Sequence, residues 1–334
     1  MGLKDFDFYL PEESIAKYPA IPRHSARLMV LNRKEKSIKH DTFWSLPLHL
    51  EKDDLLVFNN TKVIPARLYG KKPTGGLVEI LLTDFITPKE WKALLGGKNI
   101  KEGILLEVSD DLRVEIVKHV HRGMFLVRIL SQDPMNAIQR YGRIPIPPYI
   151  KRREEEIDRT YYQTIFATVD GSVAAPTASL HFSQELLKML EKTGVKTAFV
   201  TLHISYGTFK PVEVESLEKH KVDREYLYVP EETVKLIKET KSKGKRVVAV
   251  GTTVVRALET KPFEPFEGFT DIYIHPGYEF KVVDALVTNF HLPRSSLLIL
   301  VCAFAGRKFI LEAYNQAIQQ GYRFYSYGDG MLIL

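Results

Sequence analysis

The sequence contains the stretch Val247-Val248-Ala249-Val250-Gly251-Thr252-Thr253-Val254-Val255-Arg256, in which an apolar run meets a glycine and two threonines. The apolar run is typical of a buried strand, and the residues after Gly251 predict the start of a helix. In open α/β sheets, ligands bind beyond the carboxyl ends of the strands, and free N–H groups at a helix start favour a carboxylate or a phosphate. An ordinary capped helix explains the stretch equally well, and its glycine spacing is not that of a dinucleotide site or a P-loop.

Helices and strands alternate on both sides of this stretch. Ser183 is a good N-cap for a helix over 185–192, and Pro230 predicts the start of a helix that ends near Gly244. Alternation of this kind favours a largely parallel or mixed sheet with helices on its faces. The further predicted strands are 27–32, 55–58, 197–204, 246–250, 271–275 and 280–286, and the further predicted helices are 254–259, 296–305 and 307–320.

Residues 62–150 have a different pattern, with short β-rich runs separated by turn signals such as Gly75-Gly76 and Asp110-Asp111. Several short strands without a convincing long helix predict a small β-barrel or sandwich, which we interpret as an inserted domain. The proline-rich stretch 144–150 predicts a stiff connector at the end of this domain. The flanking segments 1–61 and 151–334 then form one discontinuous α/β body.

The composition excludes several classes of protein. The chain has 334 residues, a formal charge of +6 and a single cysteine, Cys302, so it forms no internal disulfide and no cysteine-built zinc or iron–sulfur site. The mild basicity permits a polyanionic partner without requiring one. The first residues lack a signal pattern, and the longest apolar run is far below the roughly 20 residues of a membrane span. We therefore expect a cytoplasmic protein without membrane contact.

Histidines occur in three further polar segments near predicted strand or helix ends. His181 lies in the small-residue segment 170–182, His203 lies at the end of the strand predicted over 197–204, and His291 shares a loop with Arg294. Each is a candidate base or ligand contact, and a buried structural histidine or a capped loop is the alternative in each case. Spacings typical of a metal site or of a serine or cysteine nucleophile do not occur, so we expect no metal.

One basic cluster is a candidate for RNA contact. Lys151-Arg152-Arg153 offers phosphate contacts, and Tyr149, Tyr161 and Tyr162 offer surfaces on which bases stack. A solvated charge run, balanced by the three glutamates over 154–156, is at least as plausible.

Longer strings along the chain resemble one family. Two of them are Gly171-Ser172-Val173-Ala174-Ala175-Pro176-Thr177-Ala178 and Gly207-Thr208-Phe209-Lys210-Pro211-Val212. The others are 5–11, 54–61, 64–68, 144–150, 162–164, 249–253, 288–293 and 326–329. In this order they are similar to the S-adenosylmethionine:tRNA ribosyltransferase-isomerase family of queuosine biosynthesis. The resemblance covers the chain from about residue 5 to its end. It implies a mixed-sheet α/β body with an inserted all-β barrel.

The resemblance also implies a reaction. The ribosyl part of S-adenosylmethionine is isomerised and attached to 7-aminomethyl-7-deazaguanine at the tRNA wobble position, which gives epoxyqueuosine-tRNA, adenine and methionine. S-adenosylmethionine is consumed as the ribosyl donor, so no cofactor is implied. A monomer is the working hypothesis for the oligomeric state.

Candidate roles follow from this implied reaction. A base with a pKa near neutrality favours histidine, so His181, His203 and His291 are the candidate bases, with Glu225 as a weaker one. Arg256 or the Thr252-Thr253 turn would hold the methionine carboxylate or a phosphate. The candidate substrate contacts are Gly251, Thr252, Thr253, Arg256, Thr177 and Tyr206, and the candidate RNA contacts are Lys151, Arg152, Arg153 and Arg294.

The chain departs from the family pattern at two positions. Asp223 stands where the family usually has a second histidine, and Tyr206 replaces a small residue. Two other functions stay open: an S-adenosylmethionine-dependent RNA methyltransferase, which would release S-adenosylhomocysteine, and a non-catalytic RNA-binding module. We expect His181, His203, Gly251 and His291 to share one cavity.

Overall fold

The computed structural model describes residues 2–205, 217 and 220–334. Tyr206 and the string 207–212 lie outside the described residues.

The strands are β1 Arg27–Asn32, β2 Ser37–Thr42, β3 Leu55–Asn59, β4 Thr61–Val63, β5 Arg67–Lys71, β6 Leu77–Thr87, β7 Glu90–Gly96, β8 Leu105–Ser109, β9 Leu112–His121, β10 Met124–Leu130, β11 Val169–Ser172, β12 Lys196–Leu202, β13 Glu225–Val229, β14 Val247–Val250, β15 Phe266–Thr270, β16 Ala285–Asn289 and β17 Gly330–Ile333. The α-helices are α1 Pro134–Tyr141, α2 Glu156–Tyr161, α3 Gln184–Lys192, α4 Glu231–Ser242, α5 Thr252–Thr260, α6 Ser296–Ala305 and α7 Arg307–Gln319.

The α/β body is built on a nine-stranded sheet in the order β15-β13-β12-β3-β14-β16-β17-β1-β2. Strands β12, β3, β14 and β16 are parallel neighbours, so their carboxyl ends meet at one edge. Successive residues of β3 point to opposite faces: Leu55 and Val57 pack beneath the helices α4 to α7, and Leu56 and Phe58 pack on the other face with α3. Burial on both faces explains why the residues 55–58 of this strand are all apolar.

Six strands form the second unit, a closed barrel in the order β10-β7-β6-β5-β8-β9 with its own hydrophobic core. The expected mixed-sheet α/β body with an inserted all-β barrel is confirmed. The barrel strands run from Arg67 to Leu130. Helix α1, which our pattern analysis did not predict, follows them; Asp133 caps it, and its residues Ala137 and Ile138 complete the barrel core.

Two predicted strands are wrong in position. Residues 271–275 lie outside any strand, and the pairing segment is β15, immediately before them. The second strand begins at Ala285 instead of residue 280. Strand β15 lies at the edge of the sheet and contains Glu267 and Gly268. One of its faces is exposed to solvent, so the apolar pattern in its sequence is weak. The apolar C-terminal residues form the buried strand β17 between β16 and β1.

Candidate active site

A pocket lies at the sheet edge where the parallel strands end. Its walls come from the start of α5 after β14, from the end of β16 and the loop after it, and from the segment before a short 3-10 helix, Thr177–His181. Five of the expected site residues line it together: Gly251, Thr252, Thr253, Thr177 and His291. The other lining residues are Ala175, Pro176, Ala178, Ile204, Thr288, Asn289 and Leu297.

The N-terminus of α5 faces this pocket. Gly251 has a φ of 102°, a conformation that glycine adopts far more readily than other residues, and its N–H donates to the carbonyl of Val287. The Thr253 hydroxyl is buried and has no hydrogen-bond partner among the described residues. A free buried hydroxyl at a helix start is suited to a polar ligand group, because leaving it unpaired costs free energy.

Asn289, the last residue of β16, connects three groups at the pocket floor. Its Nδ2 lies 3.2 Å from the Tyr325 carbonyl oxygen and 3.2 Å from His181 Nε2, and its Oδ1 accepts the Thr177 hydroxyl at 2.9 Å. A carbonyl can only accept, so the amide nitrogen must face Tyr325 and also His181. His181 Nε2 is therefore the acceptor, and the neutral ring carries its proton on Nδ1. The hydroxyl proton of Thr177 is likewise used, so this hydroxyl presents only lone pairs to the pocket.

This geometry changes the role expected of His181. Its ring stacks on Phe43 with centroids 4.1 Å apart, and its Nε2 lone pair is occupied by Asn289. Burial, together with the positive charges of Arg323 and Arg23, lowers the pKa of His181 to about 3. The residue does not line the pocket, so its contacts suit a positioning group better than a base.

His291 is the expected base that does line the pocket. Its Nε2 lies 2.9 Å from the Thr288 hydroxyl, and its backbone N–H donates to the Tyr314 hydroxyl. Burial lowers the pKa of His291 to about 3, so the imidazole is neutral at pH 7. A neutral imidazole beside a ligand pocket has a lone pair that can accept a proton.

His203 is not in this pocket, contrary to our expectation of a single shared cavity. Its Nδ1 lies 2.8 Å from the Thr61 hydroxyl, and its ring stacks on Tyr226. The next residue, Ile204, lines the pocket, and successive residues of an extended chain point in opposite directions. Burial lowers the pKa of His203, while Asp170 opposes this shift.

Glu225 and Arg256 form a buried ion pair next to the site. Glu225 Oε1 also accepts the Ser205 N–H at 2.9 Å, and Arg256 Nε donates to the Ile272 carbonyl at 3.3 Å. Arg256 Nη2 is buried without a hydrogen-bond partner among the described residues. Each residue neutralises the other's charge, so a role of Glu225 as base would require the pair to open. The Nη2 group of Arg256 can still donate to a carboxylate while the pair stays closed.

The expected RNA contacts are scattered. Lys151 is exposed and pairs with Glu12, Arg153 is exposed, and Arg294 pairs with Asp7 at the surface. Arg152 instead makes two 2.7 Å contacts to the buried carboxylate of Asp158, an internal ion pair that occupies its guanidinium.

The predicted stacking role is wrong for one of the three tyrosines. Tyr162 is fully buried, so no base can reach it. Tyr149 is half-buried and its hydroxyl contacts Ser326, whereas Tyr161 packs under Arg23.

Three polar residues at strand ends were not predicted as site residues: Asn289, Thr288 and Thr61. Asn289 and Thr288 end β16, and Thr61 follows the apolar strand β3. Polar residues directly after apolar parallel strands are the signal that could have identified all three.

Fold and site together define a two-part α/β protein with a ligand pocket at the carboxyl edge of its sheet. The chain belongs to the queuosine biosynthesis protein family, whose model matches residues 3–333. It is similar to the S-adenosylmethionine:tRNA ribosyltransferase-isomerase of Aquifex aeolicus, with 70% identity over 334 residues and 100% of both chains. The enzyme of the same name from a Hydrogenobaculum species is 57% identical, again over 100% of both chains.

A solved structure shows the same architecture. The crystal structure of an S-adenosylmethionine tRNA ribosyltransferase from Thermotoga maritima matches with a TM-score of 0.57 and 40% identity, covering 99% of this chain and 100% of that one. Among the described residues, no helix is both long and apolar enough to span a membrane, and no three histidine, cysteine or acidic side chains group as metal ligands.

Proposed function

We propose that this enzyme transfers and isomerises the ribosyl moiety of S-adenosylmethionine onto 7-aminomethyl-7-deazaguanine at the wobble position of a tRNA. The products are epoxyqueuosine-tRNA, adenine and methionine. The full-length similarity, at 70% identity, to a relative named for this transfer carries the proposal. The pocket supports it, because neutral polar groups line a cavity at the strand ends, where α/β proteins bind ligands.

In this proposal His291 is the base. The sulfonium makes the C5′ hydrogens of the ribose acidic, and His291, the candidate histidine that lines the pocket, removes one of them. The electron pair left on C5′ forms a C4′=C5′ bond and breaks the C4′–O4′ bond, and the freed oxygen forms a carbonyl at C1′ as adenine departs with a proton. The aminomethyl nitrogen then adds to C4′ and loses a proton, C5′ bonds to C1′, and the C1′ oxygen displaces methionine from C5′ as the epoxide closes. Asn289 holds Thr177 in place at the pocket and fixes the ring of His181, which does not line the pocket.

The other polar groups bind the substrate. The start of α5, where the Thr253 hydroxyl has no partner among the described residues, suits the methionine carboxylate, because helix N-termini favour anions. The Thr177 hydroxyl offers only lone pairs, so it suits a donor such as a ribose hydroxyl or the ammonium group.

The remaining parts of the proposal concern the setting of the reaction. S-adenosylmethionine is the consumed donor, and no other cofactor takes part. We place the enzyme in the cytoplasm, as a monomer, with a barrel domain over 62–150 and a catalytic body over 1–61 and 151–334.

The products test the proposal. The purified chain is incubated with S-adenosylmethionine and tRNA that carries the aminomethyl deazaguanine base, and the small molecules are separated by chromatography. We expect adenine and methionine in equal amounts, and no adenine from a matched tRNA with guanine at that position. Release of S-adenosylhomocysteine would indicate methyl transfer instead, and equal adenine release without tRNA would refute the mechanism.

A further inference from the structure

Three aromatic rings form a continuous line on the outer strands of the sheet. Phe269 on the edge strand β15 is 56% exposed, and it is the register partner of Tyr226 on β13. Their ring centroids lie 6.1 Å apart in an edge-to-face arrangement. Tyr226 in turn stacks on His203, with centroids 5.3 Å apart and planes 22° apart. We name Phe269, Tyr226 and His203 the aromatic strip.

One exposed cation lies at the outer end of the aromatic strip. The guanidinium of the exposed residue Arg224 lies 5.1 Å from the Phe269 ring centroid. Of two nearby carboxylates, Asp170 pairs with Lys62 at 3.2 Å, whereas Glu267 accepts the neutral Tyr226 hydroxyl at 2.9 Å and keeps its negative charge. The positive charge of Arg224 lies over the exposed end of the strip, at the Phe269 ring.

The aromatic strip ends one residue away from the pocket along the chain. His203, its inner end, directly precedes Ile204, which lines the pocket. Packing within the protein explains little of why an aromatic residue stands at the outer end of the strip. Phe269 is more than half exposed, so it gains little free energy from burial.

We propose that the aromatic strip stacks an unpaired base of the tRNA anticodon loop, next to the nucleotide that enters the pocket. This rests on the proposed function, which supplies the RNA substrate. Proteins that bind single-stranded RNA stack its bases on aromatic side chains, and arginine adds cation–π attraction and phosphate contact. The strip explains why His203 lies outside the pocket and beside it.

Fluorescence of a base analogue tests the stacking. An anticodon stem-loop with 2-aminopurine beside the wobble position is titrated with the full chain. Stacking on a ring should quench the fluorescence, and Phe269→Ala, Phe269→Leu and Tyr226→Ala should remove the quenching and weaken binding about tenfold. Phe269→Leu keeps an apolar side chain and removes only the ring.

Two controls accompany these variants. Tyr226→Phe keeps the ring and removes only the hydroxyl bonded to Glu267, and Leu77→Ala removes an apolar side chain that is 71% exposed on the barrel. Both should bind and quench like the unmodified chain. Affinity for S-adenosylmethionine, measured by calorimetry, should stay unchanged in every variant that folds.

Two outcomes separate this proposal from the proposed function. Phe269→Leu and Tyr226→Ala could leave RNA binding, quenching and adenine release unchanged. That result would overturn the proposed base stacking on the aromatic strip and would leave the proposed enzymatic function standing. The unmodified chain could instead bind and quench the RNA only with its aromatic rings present, yet release no adenine. That result would support base stacking on the aromatic strip and refute the proposed enzymatic function.

Discussion

Asn289 controls the protonation of a neighbouring side chain at the floor of the pocket. Because its amide nitrogen must face the Tyr325 carbonyl, the ring of His181 carries its proton on Nδ1. In Asn289→Asp a carboxylate oxygen would face His181 Nε2 instead, which raises the histidine pKa and places a proton on Nε2.

Nitrogen and carbon NMR shifts of the histidine ring measure this change directly. We expect the Nδ1–H form of His181 in the unmodified chain from pH 5 to 8, and a proton on Nε2 in Asn289→Asp. Asn59→Asp is the matched control, because Asn59 is equally buried but binds the Leu202 backbone. The same His181 form in both Asp variants would contradict the assignment.

At the scale of elements, an ion pair joins β13 to α5. Removing one partner of a buried pair leaves the other charge unpaired, so Arg256→Met should lower the free energy of unfolding by about 3–5 kcal/mol. The double variant Glu225→Gln with Arg256→Met should lose less, since neither charge remains. Urea unfolding measures both, and an equal or larger loss in the double variant would rule out this explanation.

The start of α5 depends on a backbone conformation that favours glycine. Gly251→Ala should destabilise the chain by about 1–3 kcal/mol through backbone strain alone, since the added methyl meets only ordinary contacts at 3.6 and 3.7 Å. It should also weaken S-adenosylmethionine binding. Gly244→Ala, at a φ of 65° after α4 and away from the pocket, should destabilise the chain without changing that affinity. Equal affinities of both variants would argue against a ligand at this helix start.

The sequence was informative where a local pattern determines an element. The apolar runs of β3 and β14, the cap at Ser183 and the loops after the strands predicted the sheet and the edge that carries the pocket. Side-chain direction was not predictable, because His203 and Ile204 are adjacent and only the strand register decides which one faces the pocket. The edge strand β15 was missed for a related reason, since one open face leaves little apolar pattern.

At the scale of the whole molecule, buried histidines make stability depend on pH. The pKa values of His181 and His291 are about 3 in the folded chain and about 6.5 when unfolded. Below pH 6.5 the unfolded chain binds more protons, so stability is lost as the pH falls from about 6.5 towards 3. Each histidine should cost about 2 kcal/mol between pH 7 and pH 5.

Urea unfolding at several pH values tests this coupling. His181→Gln and His291→Asn should each flatten the pH dependence, whereas His121→Asn, at an exposed barrel position, should leave it unchanged. An unmodified chain that is equally stable at pH 5 and pH 7 would disprove the burial of neutral histidines.

The most direct test of the catalytic assignment compares the adenine release rates of His291→Asn and His121→Asn at saturating S-adenosylmethionine and tRNA. With His291 as the base in the pocket, its replacement should lower the rate by roughly 10²- to 10⁴-fold while S-adenosylmethionine still binds. His121→Asn should react like the unmodified chain. Full adenine release by His291→Asn would contradict the assignment.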